Sequence, residues 1–360
     1  MAGPKRLKAI QGAAEFAFMS QRIHSLIGDK LSLVEKTIAD NLQAPYAPVA
    51  EMGTYLAASR GKRLRPTLLL LVSRMLGYEG DQDVRYAAIF EFVHTATLIH
   101  DDIVDQALLR RGRASLSSRW GPELAVLMGD RVFIMAMNLA IQEGWSPVLP
   151  LISRTTLKLI EGELIQSHRK WDLTLRREDN LEIIKDKTAF LFAACALTPG
   201  HLAETPPPIL EALESFGVNL GIAFQVVDDC LDFVSDEATL GKPAGNDLKE
   251  GKITLPLLLL LERGTPEDRA FIEAVVASHR FDPDTLSGWR AGSWNLECWE
   301  RQRTSPPATP GAPSKPSRAC LPTPSVTSSS PSPSTSSAGD IDGPVPLGFF
   351  RPLRHPVHRR

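Results

Sequence analysis

Cysteine is scarce in this chain. Cys195, Cys230, Cys298 and Cys320 have neither metal-site nor disulfide-like spacing, which argues against a small stapled secreted fold and suits a reducing, cytoplasmic setting. Cys195 and Cys230 lie in apolar helical patterns, the usual place of a buried free thiol. Net charge is almost absent: 40 Lys and Arg stand against 42 Asp and Glu, a balance of -2 that gives no support for nucleic-acid binding. Long apolar runs are missing too. Leu68–Val72 and Leu257–Leu261 are strongly apolar, but each is far short of the roughly 20 residues that span a bilayer. They read as buried helix segments, and no transmembrane helix is expected. Lys5, Arg6 and Lys8 are followed by neither a long apolar core nor a clear cleavage site, so no signal peptide is read. Strand-type alternation is scarce as well.

What is present is helical periodicity. From Ala14 to about Leu286 apolar residues recur at three and four, beginning with Phe18, Ile23, Leu26, Ile27, Leu31, Val34, Ile38 and Leu42. Turn signals punctuate the pattern at Gly77–Asp81, Trp120–Glu123, Thr205–Pro208 and Gly241–Gly251. With 43% hydrophobic and 23% charged residues, the composition is that of an ordinary soluble protein. These features predict an all-α, single-domain, multi-helix bundle over residues 1–286.

Beyond about Ser287 the periodicity fades. Pro306, Pro307, Pro310, Pro313 and Pro316 break any helix, and Thr327–Ser337 is all Ser, Pro and Thr. Residues 287–360 therefore read as a Pro/Ser-rich, disordered tail. The change is abrupt and falls beside Trp289, Trp294 and Trp299. A linker or recognition tail is one explanation. A reading frame shifted near the end of a GC-rich gene is the other and the preferred hypothesis; an unbroken frame on resequencing would sink it.

Two copies of one acidic pattern carry the chemistry. Asp101-Asp102-Ile103-Val104-Asp105 and Asp228-Asp229-Cys230-Leu231-Asp232 both spell Asp-Asp-x-x-Asp, and each ends an apolar run. Residues four apart share a helix face, so Asp101 and Asp105 point one way, as do Asp228 and Asp232. One copy alone would suit a solvated helix end. Two copies suit a pair of facing clusters that hold a metal-bound polyphosphate. Mg²⁺ fits, because it binds through one or two carboxylates together with substrate phosphates.

Basic residues accompany both copies. Lys62, Arg63 and Arg65 cluster in Gly61–Pro66, and Arg110, Arg111 and Arg113 follow the first motif. Lys187-Thr188 interrupts an apolar helix, Ile183–Leu197, where a lysine needs a partner. Gln225 shares a face with Asp228, and Lys242 and Lys252 bracket a polar, glycine-rich loop. Guanidinium forks and ammonium charges suit phosphate oxygens. A basic cluster is more often a solvated helix start, and a lone histidine such as His94 is more often a satisfied core residue. Together, however, these groups fit a site for two diphosphates, one bridged by metal and one held mainly by Lys and Arg.

The chain resembles a trans-type polyprenyl diphosphate synthase of the octaprenyl/decaprenyl kind. The matching segments are GKRLRP (Gly61–Pro66), HTATLIHDDIVDQALLRRG (His94–Gly112), GD (Gly129-Asp130), EGELIQ (Glu161–Gln166), KTA (Lys187–Ala189), GIAFQVVDDCLDF (Gly221–Phe233) and GKPAGNDLKEGKITLP (Gly241–Pro256), in matching order and spacing from about residue 20 to 275. The resemblance implies an isoprenoid-synthase bundle around a central cavity and a homodimer. It implies that Asp101, Asp102 and Asp105 hold Mg²⁺ against an allylic diphosphate, with Asp228, Asp229 and Asp232 holding a further Mg²⁺ opposite. It assigns Lys62, Arg65, His94 and Arg111 to isopentenyl diphosphate. Arg110, Lys187, Thr188, Gln225 and Lys242 go to the allylic diphosphate, and Lys252 to a closing loop.

By the same resemblance the product tail runs beside the first acidic helix. Ala96 lies five positions before Asp101, small where short-chain members carry an aromatic ring. Val93 is moderate in size, and Phe92, Phe90 and Ile89 offer a deeper stop. The expected product is longer than farnesyl, an octaprenyl to decaprenyl precursor of quinone side chains. A geranylgeranyl-length synthase, an inactive partner subunit and a C-terminally damaged enzyme are the alternatives. A class I terpene cyclase is a weaker rival, since its second metal motif usually mixes Asn, Ser and Glu. Two departures from the family pattern stand out: Arg60 replaces a glycine before Gly61, and the C-terminal helices are replaced by the tail, which could leave apolar core surface uncovered.

Overall fold

The computed structural model describes residues 4–59, 61–144, 147–234 and 245–279. They all fall within one compact unit, Met1–Arg301. The expected boundary near residue 286, the tail beyond it, the three tryptophans, Cys298, Cys320 and Lys242 lie outside the described residues.

Apolar periodicity and helix-start signals explain where the helices lie. They are α1 (Pro4–Leu42), α2 (Ala47–Ala58), α3 (Leu64–Met75), α4 (Gln82–Val104), α5 (Leu116–Trp120), α6 (Pro122–Gln142), α7 (Val148–His168), α8 (Arg177–Ile184), α9 (Phe190–Leu202), α10 (Pro207–Val234), α11 (Asn246–Lys249), α12 (Leu255–Arg263) and α13 (Pro266–Ser278). Pro at the first turn starts α2, α6, α12 and α13, where the missing N–H costs nothing. Thr265 and Asp268 close a capping box on α13. A five-residue π-helical turn, Lys185–Ala189, joins α8 to α9.

The centre of the bundle is α9. Leu191–Gly200 are all buried, as a helix that is apolar all round must be. It packs against α3, α4, α7 and α10. The most deeply buried large side chains include Tyr86, Phe90 and Phe92 of α4 and Leu69 and Leu70 of α3. A smaller apolar cluster joins Leu175 and Ile183 to Leu248, Ile253, Leu257, Leu258, Ile272 and Val275. Cys195 is a buried free thiol, and Cys230 is half-buried.

The all-α expectation holds, with one local exception. Leu109–Arg110 and Arg113–Ala114 pair as a two-residue antiparallel hairpin. Its turn residues, Arg111 and Gly112, have φ of 52° and 73°, the left-handed backbone that a two-residue I′ turn requires. Along α1 the apolar pattern is only partly a core face: Ile27, Val34, Ile38 and Leu42 are buried, whereas Phe18 and Leu26 are exposed.

Leu69, Leu70, Val72, Leu257 and Leu258 are buried, as expected of short apolar runs. Two other stretches, Pro122–Gln142 and Pro207–Asp232, are long and apolar enough to cross a membrane by length and composition, a test that core helices also pass. The exposed side of α10 is markedly apolar: Ile209, Phe216, Leu220, Phe224, Val227 and Leu231 lie three, four or seven apart and are all exposed. On α6 and α7, Leu127, Ile134, Leu157 and Leu164 are also exposed.

Candidate active site

A cavity of about 490 Å³ opens between α3, α4, α7, α9 and α10. Its basic wall carries Lys62, Arg65, His94, Arg110 and Arg111, and its acidic wall Asp101 and Asp228. Lys187, Thr188 and Gln225 lie on it too, and Leu98, Leu159, Ile160, Leu164, Leu191 and Phe224 make it apolar elsewhere. Residues from six separate stretches of sequence thus meet in one place.

The basic wall is sheltered only in part: Arg65 and His94 are half-buried, while Lys62 and Arg111 are exposed. Burial pulls the Arg65 guanidinium below its ordinary range, and the group lies 4.7 Å from the centre of the Phe192 ring. His94 is held well below the usual imidazole value by burial and by Arg65, Arg111, Arg110 and Arg63 around it, so the ring is neutral. Arg111 is lowered by burial and by its arginine neighbours, and its Nη1 donates to the Ser59 carbonyl at 3.0 Å. Arg63 differs from its neighbours in the cluster. Its φ is 50°, and its guanidinium donates to Glu35 and Glu91, each at 2.6 Å. A buried carboxylate, Glu91, and a half-buried one, Glu35, thereby hold it as part of the frame.

The three aspartates of the first motif have three environments. Asp101 lies on the cavity wall, where burial and the nearby Glu163 and Asp105 charges push its carboxyl up to about 6 against the pull of Lys187 and Lys252. Asp102, next along the helix, turns away and receives Arg110 Nε at 2.8 Å. Burial raises Asp102 while that arginine opposes the rise. Asp105 follows the last residue of α4 and receives Lys170 Nζ at 3.0 Å on Oδ1 and Lys252 Nζ at 2.6 Å on Oδ2. Burial pushes Asp105 up, but the two lysines outweigh it and hold the carboxyl below its usual range.

The second motif is wired to the π turn. Thr188 Oγ1 donates to Gln225 Oε1 at 2.8 Å, and Gln225 Nε2 donates to Asp229 Oδ1 at 2.8 Å. Burial, with Asp228 and Asp232 adding to it, pushes Asp229 up to about 6 against the Gln225 bond. Asp228 faces the cavity, while Asp232 accepts the Asp247 backbone N–H at 3.0 Å. Lys187 donates to Gln166 Oε1 at 2.7 Å and is paired with Glu163. The turn is possible because Gly162 lets the chain approach: a Cβ there would lie 2.6 Å from the Lys187 backbone nitrogen. Such π-bulges occur often at functional sites.

The proposed chain-length positions lie elsewhere. Ala96, Val93 and Phe92 are 2%, 1% and 1% exposed, packed in the main core. None of the three lines the 490 Å³ cavity, which meets α4 through Glu91, His94, Thr97, Leu98, His100 and Asp101. Phe92 lines a smaller cavity of about 70 Å³ instead, with Ile99 and Asp102.

Sequence reasoning missed Lys170 and Glu163 as partners of Asp105 and Lys187. Glu163 was legible only as part of EGELIQ, and Lys170 resembles any basic residue after a helix C-terminus. Among the described residues, no group of three or more Asp, Glu, His or Cys side chains is arranged to hold a metal ion by itself. Asp101 and Asp228 on the cavity lining, with Asp105 near the first and Asp229 near the second, offer hard oxygen donors of the kind that hold Mg²⁺ when phosphate and water supply the remaining ligands.

A family model for polyprenyl synthetase matches residues 47–287. The octaprenyl diphosphate synthase of Escherichia coli (strain K12) is 37% identical over 287 residues, covering 79% of this chain and 88% of that protein. The crystal structure of a polyprenyl synthase from Caulobacter crescentus CB15, complexed with calcium and isoprenyl diphosphate, is 37% identical with a TM-score of 0.70, over 75% of this chain and 85% of that one. A decaprenyl diphosphate synthase from Rhodobacter capsulatus is 33% identical with a TM-score of 0.70, over 75% and 84%. On the agreement of motifs, fold and overall likeness, the chain belongs to the polyprenyl synthetase family.

Proposed function

We propose that this chain is a Mg²⁺-dependent trans-prenyltransferase that elongates an allylic diphosphate with isopentenyl diphosphate to a long-chain polyprenyl diphosphate, in the octaprenyl to decaprenyl range. Its service is to quinone side chains, its setting the cytoplasm, and its working form a homodimer. One observation carries the reading: a single cavity joins a basic wall, an acidic wall and an apolar lining.

Each wall has a task. Lys62, Arg65, Arg111 and neutral His94 bind the diphosphate of isopentenyl diphosphate, leaving its alkene toward the cavity. Arg110, Lys187, Thr188 and Gln225 bind the allylic diphosphate, joined by Lys242 and by Lys252, which lies just before α12. Asp101, Asp102 and Asp105 on one side and Asp228, Asp229 and Asp232 on the other are the metal-binding carboxylates; Asp102 exchanges Arg110 for that role. Bound Mg²⁺ neutralises the charge that grows on the departing diphosphate. The basic side chains add to this at the same oxygens, fixed before the reaction starts. As the allylic C–O bond breaks, the alkene electrons form the new C–C bond, and loss of a proton restores a double bond. Leu98, Leu159 and Leu191 give the cation apolar surroundings and keep water from it.

The test supplies purified full-length chain with isopentenyl diphosphate, farnesyl or geranylgeranyl diphosphate and Mg²⁺, with an EDTA control, and sizes the dephosphorylated products. A Mg²⁺-dependent prenyl alcohol of octaprenyl to decaprenyl length is expected. A geranylgeranyl-length product would replace the chain-length reading. A folded chain without elongation would point to a partner subunit or a C-terminally damaged enzyme, and restoring the C-terminal frame separates those two.

A further inference from the structure

We infer that Lys170, which lies outside every matching motif, is a positioning residue that occupies Asp105 in place of the metal. It holds the first acidic motif together until metal and diphosphate arrive. The inference rests on the proposed role of Asp105 as a metal-binding carboxylate.

Both oxygens of Asp105 are taken by ammonium groups, Oδ1 by Lys170 and Oδ2 by Lys252. The ion pair is sheltered, with the Lys170, Lys252 and Asp105 side chains 21%, 11% and 10% exposed. A dedicated junction brings the two lysines side by side. The Trp171 backbone N–H donates to the Gly251 carbonyl at 2.8 Å, so residues adjacent to each lysine are bonded to one another. Both partners are left-handed, Trp171 at φ 64° and Gly251 at φ 79°. A Cβ on Gly251 would overlap the Trp171 ring, so the junction closes only with glycine there. A non-glycine residue keeps this backbone only where its surroundings impose it.

The two lysines are not equivalent. Lys252 also donates to Glu250 Oε2 at 2.6 Å, and keeps that acceptor when it leaves Asp105. Among the described residues Lys170 bonds Asp105 alone. A divalent cation at Asp105 displaces at least one of the two ammonium groups. Lys252 can retreat to Glu250, whereas Lys170 has no second acceptor among the described residues, and its charge stays beside the carboxylate in competition with the cation. Removing that charge acts in two opposite directions. The metal-free fold loses a partner for a buried carboxylate, while the metal loses a competitor.

The experiment compares wild type, Lys170→Met and Lys170→Arg as full-length chains. Thermal melting is followed in EDTA and across a Mg²⁺ titration with inorganic diphosphate present. Lys170→Met is expected to melt several degrees lower in EDTA and to reach half of its Mg²⁺-induced shift at several-fold lower Mg²⁺; Lys170→Arg restores both values. A lower melting point with an unchanged or higher half-saturating Mg²⁺ would overturn the inference and leave Lys170 a purely structural partner. A wild-type chain without any Mg²⁺-induced shift would overturn it together with the metal role of Asp105. Elongation by wild type, assayed separately, tests the synthase reading independently of either result.

Discussion

Asp101 and Asp102 are neighbours in sequence with opposite surroundings. Successive residues on a helix point about 100° apart, so one carboxylate reaches the cavity and the other reaches Arg110 across the hairpin. Their substitutions should differ in kind. Asp101→Asn is expected to lower elongation by about 10²- to 10³-fold without loss of melting temperature. Asp102→Asn takes the charged partner from a partly exposed Arg110 guanidinium and should cost no more than about 1 kcal/mol of stability, because solvent screens that pair, read by urea denaturation. The carboxyl of Asp101, raised from 3.8 to about 6 in the fold, binds its proton more tightly there than in the unfolded chain. Its contribution to stability is therefore present at low pH and lost as pH rises from about 4 to about 6. In EDTA, Asp101→Asn should gain on wild type through that window, as melts at pH 4.5 and 6.5 would show. A wild type that keeps pace with the variant would refute the assignment.

The acidic motifs, the basic cluster and the helices around them were legible because each rests on local spacing. The π turn was not. Its cause is the approach of Gly162 on α7 to the backbone of Lys187, a contact between residues far apart in sequence. The hairpin that turns Arg110 and Arg111 has strands of two residues each, too short to leave an alternating pattern. The stretch Gly241–Gly251 reads as a polar loop, whereas its described part holds the four-residue helix α11, and nothing local revealed that Lys252 would cross to Asp105 at the end of α4. Gly162→Ala tests the π turn. It should cost about 1–3 kcal/mol through overpacking, and at temperatures where the variant stays folded it should raise KM for the allylic substrate by displacing Lys187.

At the scale of the molecule, the apolar side of α10 and the exposed leucines and isoleucines of α6 and α7 are large for a lone chain. A homodimer is the expected state, and light scattering on the eluting peak should give twice the 39.5 kDa chain mass. The tunnel floor is also a whole-molecule question. Ala96 is 2% exposed in the main core, so Ala96→Phe, the direct probe of product length, also inserts a ring into a packed interior. A shorter product from a variant that keeps the wild-type melting point supports Ala96 as a floor residue. Full-length product from such a variant removes it, and the apolar wall at Leu164 and Phe224 becomes the next place to probe.

The burial of α9 on every side has a consequence for how the chain is made. Helix α3 ends at Met75 and α9 at Leu202, so an emerging chain presents the inner face of α3 about 127 residues before its partner exists. At about 5–20 residues per second this is a wait of roughly 6–25 s. Helix α10 follows later still. The nascent chain therefore spends much of its synthesis with part of its interior made and the middle missing, its apolar inner faces waiting for α9 before any diphosphate is bound.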